Sequence, residues 1–153
     1  RRLGIAQAIL HNPKVLIVDE PTAGLDPEER IRFRNLLSNL AEDKIVILST
    51  HIVGDIEMTC SRLSVLNNGR IIFNGTTKEI VDSAKGFTYE VKVPKSQVHD
   101  YKNRYIITAQ KDYGDYAEMK LLFKGKQDDN FIPVNPTIED GYLNLLYDIG
   151  GTK

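Results

Sequence analysis

The chain has 153 residues, 20 lysines and arginines against 21 aspartates and glutamates, and a formal charge of -1, a balance that argues against a chain whose main work is coating nucleic acid or anionic lipid. Hydrophobic residues at 41% and charged residues at 27% are ordinary globular usage, which excludes a disordered or fibrous chain. The longest aliphatic runs, Val15–Val18 and Ile45–Leu48, fall far short of the roughly 20 apolar residues that span a bilayer, and the lone Cys60, read as a small buried apolar residue, closes no intrachain disulfide and suits a reducing cytoplasm.

The opening RRLGIAQAIL (1–10) is a helical pattern with no cap, leader or initiating methionine before it, so the expectation is a chain cut from a longer protein. KVLIVD (14–19) reads as a strand, PEERIRFRNLLSNLAE (27–42) as a helix and KIVILST (44–50) as a second strand. This is the β-α-β rhythm of a parallel sheet covered on both faces, because such strands read as continuous Val/Ile/Leu runs. The helix start is set by Asp26 as cap, Pro27 at the first helical position and Glu29 completing a D-x-x-E box. Phe33, Leu36, Leu37, Leu40 and Ala41 form its apolar stripe.

RLSVLN (62–67) and RIIFNG (70–75) flank Asn68-Gly69, a pair that tolerates positive φ and predicts a tight hairpin. Thr76 and Glu79 repeat the capping-box spacing ahead of a short helix. All seven tyrosines follow, between Tyr89 and Tyr147, and this compositional step places a domain boundary near Ser83–Gly86. Beyond it, FTYEVKV (87–93), a short helix near 95–103, YIITA (105–109), EMKLLFK (118–124) and a final helix in PTIEDGYLNLLYD (136–148) read as a small α+β domain. The 136–140 string suits an ordinary helix start capped at Thr137 or Pro136. Tyr101, Tyr113 and Tyr116 suit either a contact surface or a small core.

The chemistry concentrates in VLIVDEPTAGLDP (15–27). An aliphatic strand delivers Asp19 to the carboxyl edge of the sheet, where ligands bind in open α/β folds and an acid can hold a hydrated Mg²⁺. Adjacent side chains of an extended chain point apart, so Glu20 is expected to face a water while Asp19 faces the metal. Glu20 is the candidate general base or water-positioner. His11 and His99 have no comparable setting.

With Arg2-Leu3, Ala6, Ala8, Leu10 and Pro13 before it, Gly24-Leu25-Asp26-Pro27 after it and His51 at the end of the next strand, this string resembles the nucleotide-binding subunit of ATP-binding-cassette (ABC) transporters. The resemblance is dense over residues 1 to about 80 and looser beyond. It implies the C-terminal part of a P-loop NTPase parallel sheet with flanking helices over 1–83, followed by an α+β accessory domain over 84–153. In this resemblance VLIVDE is the Walker B strand, with Asp19 supporting Mg²⁺ and Glu20 the catalytic carboxylate. Ala23-Gly24-Leu25-Asp26 is the D-loop, in which Gly24 and Asp26 help complete the nucleotide site and contact a partner subunit. His51 is the switch histidine that reaches the γ-phosphate, and Arg1–Leu10 is the helix that follows the signature loop. The cofactors so implied are ATP and Mg²⁺, and the partners are a separate transmembrane permease and a second nucleotide-binding subunit, with no nucleic acid. The location implied is the inner face of the cell membrane, as a peripheral protein. The tail is similar to that of exporter subunits.

The chain has no G-x-x-x-x-G-K-[ST], and the glutamine loop and Ser-Gly-Gly signature are also missing. The expectation is therefore that this piece hydrolyses no ATP by itself and, with half of its sheet absent, leaves apolar surface uncovered. Two other readings are a cassette ATPase acting in translation or DNA repair, and a regulatory or dimer-contact role for residues 84–153.

Overall fold

The computed structural model describes residues 2–125 and 129–150; Arg1 lies outside them. The chain divides into two compact units, Arg1–Ser61 and Arg62–Lys153.

The first unit runs α1 (Arg2–Leu10), β1 (Val15–Asp19), α2 (Pro27–Leu40), β2 (Ile45–Ser49) and α3 (Val53–Thr59). β1 and β2 pair in parallel from Val15↔Ile45 to Asp19↔Ser49, so both strands end on the same rim. Asp26 caps α2 by accepting the Glu29 N–H at 2.8 Å, and Pro27 occupies the first turn. Leu16, Val18 and Leu37 are buried between sheet and helix, with Phe33, Leu40, Val46 and Leu48 packed against them.

The other face of this sheet is not covered by the described residues. Val15, Ile17, Ile45 and Ile47 are exposed, Ile17 to 73%. The expectation of a sheet covered on both sides is corrected to one covered face, in line with the uncovered apolar surface also expected. The α2 stripe needs correction too. Leu36 is 42% exposed and faces a groove shared with Ile5, Ala6 and Ile9 of α1, and Ala41 is the exposed C-cap, outside the helix.

The second unit opens with the hairpin β3 (Arg62–Asn67) and β4 (Arg70–Thr76). Its turn has Asn68 at φ 49° and Gly69 at φ 73°, the left-handed pair that matches strand twist. Thr76 and Glu79 make a reciprocal capping box on α4 (Thr77–Ser83). A four-stranded antiparallel sheet follows in the order β6 (Ile106–Asp112), β7 (Tyr116–Leu122), β5 (Thr88–Pro94), β8 (Ile132–Pro133). A 3₁₀ turn (Lys95–Gln97) and α5 (Val98–Arg104) lie between β5 and β6. Val91, Val93, Met119, Leu121 and Phe131 form the core, with Tyr101 and Tyr105 packed on it. Tyr113 and Tyr116 stack on each other away from that core, with the Lys92 and Lys111 ammonium groups over their rings.

α6 (Ile138–Gly150) packs on α4, where Ile80 and Ala84 are fully buried and the Asn144 amide donates to the Ser83 carbonyl at 2.9 Å. Thr137 starts α6: its N–H and hydroxyl reach Asp140 Oδ2 at 2.7 and 2.9 Å, and Lys120 pairs with the same buried carboxylate. The hairpin and α4, ahead of the compositional step near residue 83, share this compact unit with the residues beyond it.

Candidate functional site

Parallel pairing in register carries Asp19 and Ser49 to the rim side by side, and the Ser49 hydroxyl donates to Asp19 Oδ1. One residue on, the chain leaves the strand abruptly. Glu20 has φ 43°, a left-handed conformation that a residue with a Cβ adopts at a cost, and its N–H donates to the Ser49 carbonyl at 3.0 Å. This corrects the expectation that adjacent extended residues separate the two acids. Asp19 ends the strand, while a backbone reversal, held by the neighbouring strand, redirects Glu20.

The redirected carboxylate meets His51. Glu20 Oε1 lies 2.7 Å from His51 Nδ1 and accepts the His51 backbone N–H at 3.1 Å. A carboxylate only accepts, so with Glu20 ionised Nδ1 carries a proton and Nε2 is the ring's outward atom. The His51 side chain is 76% exposed and that of Glu20 30%. Glu20 Oε2 is buried and has no partner among the described residues. A buried acceptor left in that state is suited to a bound water or another donor.

The loop after Glu20 turns through an Ala23 N–H to Glu20 carbonyl bond at 3.3 Å and a Leu25 N–H to Thr22 carbonyl bond at 3.1 Å. Gly24, exposed at φ 77°, permits the second reversal; a Cβ there would touch nothing, so its backbone angle is what glycine supplies. Gly24 and Asp26 lie on this loop, apart from the Glu20–His51 pair. Asp26 has its side chain committed to the α2 cap.

Asp19 is exposed and its one hydroxyl partner leaves carboxylate lone pairs available. Among the described residues no three acidic, histidine or cysteine side chains converge as a metal cage. Mg²⁺ does not require one, since it keeps several waters and takes one or two carboxylates plus substrate phosphates, so Asp19 beside Ser49 fits the ion. The phosphates of a nucleotide have no Gly-rich cradle within this sequence.

Sequence reasoning missed a buried polar cluster beside the loop. Asp55, on α3, is 1% exposed; it accepts the Thr22 hydroxyl at Oδ2 and Arg34 Nε at 2.8 Å at Oδ1. A signal was present: Ile52, Asp55, Ile56 and Thr59 follow the i, i+3, i+4, i+7 spacing of a buried stripe, with an acid at one of its positions.

No family model matches the chain. Sequence comparison finds it similar to the uncharacterised ABC transporter ATP-binding protein YhcH of Bacillus subtilis, 37% identical over 69% of this chain and 35% of the relative. It is also similar to the Nod factor export ATP-binding protein I of Rhizobium etli, 30% identical over 95% of this chain and 49% of the relative. An uncharacterised ABC transporter ATP-binding protein of Synechocystis sp. is 29% identical over 99% of this chain and 45% of the relative. The chain thus spans a third to a half of the length of these relatives.

Proposed function

We propose, from the premise that the chain is homologous over most of its length to the ATP-binding proteins of ABC transporters, that it is the C-terminal part of an ATP-hydrolysing subunit that drives transport. The observation that carries this reading is the Glu20–His51 pair at 2.7 Å, at the carboxyl ends of two parallel strands and next to Asp19. Phosphoryl transfer asks little covalent chemistry of a protein and much positioning, and these three groups are positioning groups. Glu20 Oε2, buried and without a partner among the described residues, would hold the attacking water and take its proton. His51, anchored at Nδ1, would present Nε2 to the γ-phosphate and, once protonated there, donate to its developing charge. Asp19 would hold Mg²⁺ through water, and the ion when bound supplies neutralisation of the phosphate oxygens.

The Gly-rich cradle belongs, in this reading, to sequence outside residues 1–153, so the chain by itself hydrolyses no ATP. Residues 1–83 are the ATPase portion and 84–153 an accessory domain, with Gly24 and Asp26 on the loop that faces a second nucleotide-binding subunit. Among the described residues no helix is long and apolar enough to cross a membrane. The substrate path would belong to a separate permease, with this subunit on the inner face of the membrane, a reading supported by the similarity to ABC transporter ATP-binding proteins. Export is the proposed direction, supported by the similarity to a relative whose name includes Nod factor export.

The test is Glu20→Gln in a full-length protein carrying this segment. ATP binding should persist while turnover falls by about 10²–10⁴-fold, the usual contribution of a general base. Unchanged steady-state hydrolysis would remove Glu20 from the mechanism.

A further inference from the structure

The buried cluster at Asp55 touches both segments that carry the reactive groups. Thr22, two residues after Glu20, donates its hydroxyl to Asp55 Oδ2. Thr50, one residue before His51, donates to the same oxygen at 3.5 Å and accepts the Ile52 N–H at 3.0 Å. The other oxygen, Oδ1, is taken by Arg34 from α2, whose side chain is largely buried. Arg34 accounts for the burial of the charge, because an ion pair offsets the cost of taking a carboxylate out of water. It does not account for the two hydroxyls, which come from the separate segments that carry Glu20 and His51 and converge on one atom.

We propose that Asp55 is the positioning residue of the Glu20–His51 pair, tying the loop that follows Glu20 to the strand end that precedes His51. The proposal rests on the ATPase reading for its purpose but not for its geometry. The loop cannot move away from residues 50–52 without leaving a buried carboxylate oxygen short of donors, which is costly in a dry site. Among the described residues the exposed His51 ring has Glu20 as its partner, so its further fixation must come through the backbone beside it. Asp55 thereby acts on the exposed imidazole through the backbone on either side of it, without touching substrate.

The test uses ¹⁵N-labelled chain of residues 1–153, without nucleotide, and compares Asp55→Asn, Thr22→Val and Glu20→Gln with the unaltered protein. Thr22→Val is the control for folding, since it deletes one hydroxyl and leaves the Arg34–Asp55 pair in place. The expected result is that both cluster variants move the His51 ring nitrogen signals toward those of Glu20→Gln. They should also speed exchange of the His51 amide by about tenfold or more, while Leu16 and Val18 amides in β1 keep their protection. Unchanged His51 signals and exchange in Thr22→Val would overturn the proposal, as would an equal loss of protection across β1, which would make the cluster a plain structural support. Failure of the ATPase reading is a separate result: turnover in a full-length protein indifferent to Glu20→Gln leaves this spectroscopic comparison intact.

Discussion

Gly141 of α6 lies so close to the Ile80 carbonyl of α4 that a Cβ on it would sit 2.0 Å from that oxygen. The contact is backbone against backbone, so no side chain can swing aside. Gly141→Ala should force the two helices apart and cost on the order of 2–4 kcal/mol, as overpacking and lost burial at Ile80 combine. Thermal or denaturant unfolding of the isolated variant checks this; a loss below about 0.5 kcal/mol, the scale of an ordinary surface change, would mean the helices separate freely.

His51→Ala removes the ring partner of Glu20 Oε1 and the outward ring nitrogen together, leaving the backbone N–H at position 51 in place. In a full-length protein, nucleotide affinity should change little while hydrolysis drops about 10²–10³-fold, the range for loss of one preorganised donor. Matching kcat values for variant and parent would assign His51 to the strand end alone.

The Asp140 carboxyl supplies a pH dependence. Burial alone would push it up, but the Lys120 ammonium and the bonds from Thr137 outweigh burial and hold it below the ordinary carboxylate range. A group depressed in the folded state stabilises it above the unfolded pKa of about 3.9 and loses that contribution as pH falls through the folded value. Stability of the second unit should therefore be level from neutral pH to about 5 and decline below about 4, for this group's part. Lys120→Met leaves Asp140 buried without its cation and should destabilise the unit near neutrality by about 3 kcal/mol or more. Far-ultraviolet circular dichroism against pH for both proteins reads the two effects.

The bare face of the β1–β2 sheet predicts association. Ile17→Lys places a charge at its most exposed position and should lower the apparent mass of the chain in light scattering at high concentration. Identical scattering from the two proteins would show that this face is not what brings copies together.

What could be read from the residues follows the range over which each choice is made. The α2 cap, the Asn68-Gly69 turn and the Thr76–Glu79 box are settled within four residues, and they stand where spacing predicted them. α3, seven residues with Gly54 and Asp55 inside it, offers a single set of stripe positions, a weak signal beside the longer helices. β8, two residues including Pro133, is a strand only because β5 lies beside it. The rim position of Asp19 followed from a run of aliphatic residues. The backbone reversal at Glu20 depends on the Ser49 carbonyl, 29 positions away, and no local pattern announces it. The spacing around Asp55 marks a buried stripe, but the partners that license an acid there, Thr22 and Arg34, lie 33 and 21 positions distant.

Glu20 occupies a backbone angle that glycine or asparagine would adopt with less strain. Screening variants of this protein for heat resistance alone would therefore drift toward replacing that acid, and under the proposed mechanism the hardiest survivors would be chemically mute. A glutamate kept at position 20 marks a molecule held to a second demand besides staying folded.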